Sequence, residues 1–122
     1  MQVRIRALLN DTVGTLASGR YNDPDVLVGI ILGTGTNGAY VEATKNITKL
    51  KPEQRENDNM VINTEWGGFM SPLLPMTADD YATDESAPNP GVCFFEKLIS
   101  GLYMGEAVRI YPFTATNQKR AP

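Results

Sequence analysis

A chain of 122 residues has the length of one ordinary domain, and an apolar share of 42% is enough to give that domain a core. A net charge of −3, with 11 scattered basic residues outnumbered by 14 acids, argues against nucleic-acid binding through phosphate contacts. With no histidine and one cysteine, Cys93, the chain can form no internal disulfide, no His-dependent triad and no Cys/His zinc site.

The elements follow in chain order. Charges interrupt the apolar run of MQVRIRALLNDT, so it reads as neither a signal peptide nor a membrane segment. Val3, Ile5 and Ala7 alternate with Arg4 and Arg6 before the segment turns wholly apolar, which predicts a strand over 3–10 entering a core. Val13, Leu16 and Ala17 then recur at helical spacing, with Thr12 placed to cap the helix and Gly19 to close it. After the turn YNDPD, the β-branched run VLVGIIL has the character of a strand covered on both faces. GTGTN interrupts it and GAYVEAT resumes as a strand. The polar NITKLKPEQREND, broken at Pro52, is a loop at the end of a hairpin, and NMVINTEW is a short strand that ends at Glu65-Trp66-Gly67-Gly68.

From Met70 to Gly91 the prolines 72, 75, 88 and 90 predict a long loop, and loops of that length are usually functional or mobile. Pro90 then opens an amphipathic helix with Phe95, Leu98, Ile99 and Leu102 on one face, in which Gly101 and Gly105 would allow another backbone to approach closely. Beyond Arg109 the periodicity stops, and the remainder reads as a frayed tail. Strand, helix, then three strands make an α/β layer. Two helices are few to cover both faces of such a sheet, so the chain looks like part of a larger domain.

Several side chains could carry chemistry. Asp11 stands where a strand gives way to a helix, a position at which open α/β sheets hold ligands; it is either a general base there or a capping or first-turn acid that complements the helix dipole. The small residues Gly33 to Asn37 can present N–H groups and hydroxyls to a phosphate, yet a hairpin turn needs the same glycines, and no Gly-Lys-Ser/Thr follows to make a Walker loop. Glu65 and Glu96, taken singly, read as ordinary surface acids. Trp66 reads as core. Cys93, with no histidine to activate it, reads as an inert thiol.

Taken as a set, LLNDTVGTLASGRYNDPDVLVGIILGTGTNGAYVE, MVINTEWGGF and NPGVCFFEKLISGLYMGEAVR stand in the order and spacing of the hexokinase family. The chain resembles the large lobe of eukaryotic hexokinases, most like plant or algal members in LPMTADDYATDES, and the likeness runs from about Ala7 to Arg109. The resemblance implies a partial α/β domain of the actin-like ATPase (ribonuclease H-like) type over 1–110, a mixed sheet with flanking helices, followed by a divergent, disordered tail over 111–122. It implies ATP-dependent phosphorylation of glucose and related hexoses at the 6-hydroxyl. Asp11 then matches the base, and Asn10, Asn37, Glu65 and Glu96 match sugar ligands. Gly33, Thr34, Gly35 and Thr36 match a turn that contacts the phosphates of ATP, whose Mg²⁺ arrives bound to those phosphates rather than to protein ligands.

Three family motifs do not occur in this sequence: the Asp-Leu-Gly-Gly-Thr-Asn phosphate motif, the Thr-Lys sugar loop and the Gly-rich adenosine segment. The expectation is a fragment of a hexokinase that lacks much of the ATP cradle and is inactive alone. The rival expectation is a hexokinase-like protein that binds or senses sugar without turning it over, and a third is a scaffold with no ligand. The cytosol is the default location, with association at an organelle surface left open.

Overall fold

The structure, a computed structural model, describes residues 3–55 and 59–118, with side chains described through residue 111. They gather into two compact units, where length alone leads one to expect a single body. The first comprises the chain up to Ile31 together with Asn37–Thr64, the second Leu32–Thr36 together with everything from Glu65 onward.

The first unit begins with helix α1 (Asp11–Asn22). Asn10, not Thr12, caps it, because Asn10 is extended and its Oδ1 accepts the N–H of Thr12 at 2.9 Å and of Val13 at 3.4 Å. Gly19 does not close the helix; Asp23 does, four residues further on, donating its N–H to the Gly19 carbonyl. Strands β1 (Val28–Leu32), β2 (Thr36–Ala43) and β3 (Asn59–Asn63) follow as an antiparallel sheet in the order β1-β2-β3. β2 and β3 pair with Ala39 opposite Asn63, Val41 opposite Val61 and Ala43 opposite Asn59. The loop between them breaks at Pro52 as expected, through short 3₁₀ turns at Thr44–Asn46 and Pro52–Gln54.

The core of this unit lies where α1 meets β1. Leu16 is 1% exposed, and a Cβ on Gly29 would lie 2.9 Å from both the Cβ and the backbone N of Leu16, so only glycine lets helix and strand approach this closely. The other face of β1 is open. Val28, Ile30 and Leu32 are exposed, which corrects the expectation of a strand covered on both faces. The expected strand over 3–10 is also corrected: among the described residues no ladder includes it, and Val3, Ile5 and Leu8 are exposed. Alternation records what a segment does when paired. It cannot supply the neighbouring strand.

The second unit is helical: α2 (Ala78–Ser86), α3 (Phe94–Ile99) and α4 (Gly101–Gln118). α2 interrupts the long loop expected over 70–91. Its start is a capping box in which Thr77 Oγ1 accepts the Asp80 N–H at 3.3 Å and Asp80 Oδ2 accepts the Thr77 N–H at 2.7 Å. The single helix expected from Pro90 is two helices. Ser100 is extended (φ −85°, ψ 151°), and beyond it the N–H groups of Gly101 and Leu102 go to the carbonyls of Gly33 and Thr34 at 2.8 Å and 3.1 Å. Gly101 permits the close approach expected of it, since a Cβ there would sit 2.9 Å from the Gly33 oxygen, whereas Gly105 faces open space. The break also removes Leu102 from the apolar face assigned to it and leaves it exposed. α4 continues through Pro112 to Gln118, so that part of the expected tail is helical; residues 119–122 lie outside the described residues. Among the described residues no helix is long and apolar enough to cross a membrane.

Candidate functional site

In the first unit the site residues gather at two places. Asn10 and Asp11 form the amino end of α1, where Asp11 is exposed and its Oδ1 accepts the Thr12 N–H at 2.8 Å. That contact satisfies the first-turn reading of Asp11. Oδ2 has no partner among the described residues. Asn37 lies in β2 with its amide held on both sides: Nδ2 donates to Asn63 Oδ1 at 2.8 Å, and Oδ1 accepts the Gly38 N–H at 2.8 Å and the Thr64 hydroxyl at 3.3 Å. The single Thr64 hydroxyl proton is shared between that oxygen and the nearer Gly38 carbonyl, at 2.7 Å. Asn63 and Thr64 thus orient Asn37, a role that only their pairing across the sheet reveals.

In the second unit Glu96 and the Gly33–Thr36 turn come together directly. Glu96 projects from α3, and its Oε2 accepts the Thr36 N–H at 3.0 Å. Two glycines make room for this carboxylate: a Cβ would lie 2.8 Å from Oε2 at Gly35 and 3.1 Å from it at Gly67. The Trp66 indole N–H donates to Thr36 Oγ1 at 2.9 Å, and the Trp66 ring stands edge-on to Phe95 with centroids 6.4 Å apart. Trp66 is therefore a half-buried clamp on the turn as well as a packing residue.

The four turn residues differ. Thr36 is buried, with its N–H given to Glu96 and its hydroxyl accepting from Trp66, so it shapes the turn. Gly33 and Thr34 are exposed, and it is they that present the turn to solvent. Glu65 is exposed and left-handed (φ 49°, ψ 41°) at the start of the 3₁₀ turn Trp66–Gly68. Left-handed backbone in a residue with a Cβ costs about 1–3 kcal/mol, which marks Glu65 as held in place by its surroundings. Cys93, half-buried, is the other non-glycine residue with positive φ among those described, at 55°.

One pair in this unit had no signal in the sequence. Lys97, next to Glu96, donates Nζ to Asp84 Oδ1 and to the Asn89 carbonyl, both at 2.6 Å. Asp84 also accepts the Gly91 N–H with both oxygens, at 2.9 Å and 3.1 Å. Burial alone would raise the Asp84 carboxyl, but the Lys97 and Gly91 hydrogen bonds and the Lys97 charge hold it below its ordinary value. Among the described residues no group of three or more acids and thiols is arranged to hold a metal by itself.

The sequence profile described as Hexokinase matches residues 27–121. Hexokinase-7 of Oryza sativa subsp. japonica is 57% identical over 109 residues, covering 89% of this chain and 24% of that protein. Hexokinase-1 of the same plant is 58% identical over 110 residues, covering 89% and 22%. Among solved structures, the hexokinase of Schistosoma mansoni complexed with glucose superposes with a TM-score of 0.80 at 42% identity, over 93% of this chain and 26% of that one. The chain thus spans about a quarter of the length of the relatives it matches. These likenesses establish the actin-like ATPase fold expected from the motifs, here seen through an antiparallel meander and its helices. With the profile covering most of the chain and more than half of the aligned residues identical to plant members, the protein belongs to the hexokinase family.

Proposed function

We propose that this chain carries the proton acceptor and the sugar-reading side chains of an ATP-dependent hexose kinase that acts on glucose and similar hexoses at the 6-hydroxyl. Asp11 takes the proton from O6 as that oxygen bonds to the γ-phosphorus and the bond to the bridging oxygen breaks, with ADP leaving. Asn10, Asn37, Glu65 and Glu96 hold the sugar hydroxyls, since amides and carboxylates match their mixture of donors and acceptors. Gly33 and Thr34 meet phosphate at the exposed tip of the turn, while Gly35 and Thr36 keep its shape. Mg²⁺ held by the ATP phosphates supplies the neutralising charge. Phosphoryl transfer asks the protein mainly for position and electrostatics, so a carboxylate on a rigid helix end and a fixed turn are suitable parts.

The observation that carries this reading is the hydrogen bond from the Thr36 N–H to Glu96, seated between two glycines. It joins a side chain that reads sugar to the turn that meets phosphate. The glucose complex of the Schistosoma mansoni relative supports the choice of a hexose.

The test is a host enzyme: rice hexokinase-7 with this chain in place of its 109 aligned residues. The host is expected to form glucose 6-phosphate from glucose and Mg-ATP. Asp11→Ala should lower turnover ~10²–10⁴-fold while glucose still binds, as for removal of a general base. Turnover that survives Asp11→Ala overturns the assignment. A host that binds glucose without phosphorylating it points to a sugar-sensing protein.

A further inference from the structure

Lys97 and Asp84 lie outside the machinery assigned above, yet their side chains are only 3% and 9% exposed. A buried ion pair is a poor device for stability alone, because desolvating two charges offsets most of their attraction and apolar residues of similar volume often do as well. Its place in the fold suggests another use. α3 has six residues, too few to hold its own orientation, and its first residue is preceded by a left-handed Cys93 that makes no side-chain cap. Lys97 ties this helix to Asp84 in α2 and to the Asn89 carbonyl in the connection between them. Asn89 is itself held, its Oδ1 accepting the Tyr103 hydroxyl at 3.2 Å.

Glu96 and Lys97 are consecutive, so their side chains leave the helix about 100° apart. Anchoring one sets the direction of the other. We propose that the Lys97–Asp84 pair is a positioning device for Glu96: it fixes the rotation of α3, and with it the place of the carboxylate that meets the sugar. The proposal rests on the hexose-kinase reading of Glu96. Lys97 touches neither sugar nor phosphate and acts only through its neighbour.

The experiment is a double-mutant cycle in the host enzyme, read as KM for glucose and KM for ATP. Glu96→Gln alone should raise the glucose KM. Lys97→Met alone should raise it about tenfold with the ATP KM unchanged, and in the Glu96→Gln background should add less than about twofold, as expected for residues that act as a unit. A loss of folded enzyme without a change in glucose KM is what a merely structural pair would give, and it overturns the proposal. So does an equal effect of Lys97→Met in both backgrounds. If Glu96→Gln leaves the glucose KM unchanged, the sugar-reading role falls and the proposal falls with it; if only Lys97→Met is silent, the positioning role alone falls. Should Lys97→Met not fold, Asp84→Asn keeps the shape of the partner without its charge and is read in the same way.

Discussion

Glu96 Oε2 and the Thr36 N–H meet at 3.0 Å across 60 positions of sequence. Gly35 and Gly67 flank the carboxylate, but their surroundings differ. At Gly35 a new Cβ would press on Oε2 at 2.8 Å and on nothing else nearer than the Glu96 carboxyl carbon. The end of a flexible side chain can move, so Gly35→Ala should weaken glucose binding in the host with little loss of stability. At Gly67 the Cβ would meet the Glu96 Cβ and the Thr36 carbonyl, both at 3.3 Å. Neither gives way easily, so Gly67→Ala should lower stability by about 1–3 kcal/mol as overpacking does. Thermal melts and glucose calorimetry on the two variants check the contrast.

Glu65 offers a second separation of fold from function. Glu65→Ala and Glu96→Ala should each weaken the glucose complex by roughly 1.5–3 kcal/mol, the worth of a hydrogen bond to a charged group. Glu65→Gly should lose the same affinity while raising the melting temperature above that of Glu65→Ala, because glycine adopts φ near 49° without strain. Unchanged glucose affinity in all three removes the sugar-reading role from both acids, leaving Glu65 a surface charge and Glu96 a brace for the Thr36 backbone.

The pH dependence follows from Glu106. Its hydrogen bond to Arg109, with a further one from Ser86, takes the carboxyl from 4.5 down to about 2. A group whose pKa is lower folded than unfolded stabilises the native state above its unfolded value and loses that effect as pH falls through the folded one. Glu106→Gln should therefore melt below the parent at about pH 6 and converge with it between 4.5 and about 2. Arg109 is exposed, so the gap should be small and shrink with added salt. A gap that widens toward acid contradicts the assignment.

Expressed by itself, the chain should give no measurable glucose 6-phosphate from Mg-ATP in a coupled assay. The rate of such a transfer comes from holding both reactants in line and neutralising the phosphates, and one Gly-Thr turn is little for that work. Leu8 is 96% exposed and Leu32 76%, so the isolated chain should also bind hydrophobic dyes and self-associate at micromolar concentration. Robust turnover by monodisperse chain, lost in Asp11→Ala, would show that this chain alone suffices.

The hairpin of β2 and β3 was legible because alternation and the Pro52 break are local signals. α2 was hidden by the prolines around it, although Thr77-Ala78-Asp79-Asp80 carries its capping box in plain view. The break at Ser100 could not be read, since it exists only because Gly101 and Leu102 find carbonyls nearly 70 residues earlier. Candidate site residues emerged from several motifs read together, where each alone was ambiguous. Lys97 gave no sign, as a lysine in a helix is ordinarily a solvated one.

The same pair of hydrogen bonds ties the first turn of α4 to the Gly33–Thr34 backbone. From Gly101 to Tyr111, before Pro112, the helix runs eleven residues, about 16 Å at 1.5 Å each. A tilt of a few degrees at the turn would swing Tyr111 by ~1 Å over that length. On the proposed reading, the helix is a pointer tied at its start to the turn that meets phosphate. A fluorophore or spin label near Tyr111 would therefore report occupancy of a site it never touches.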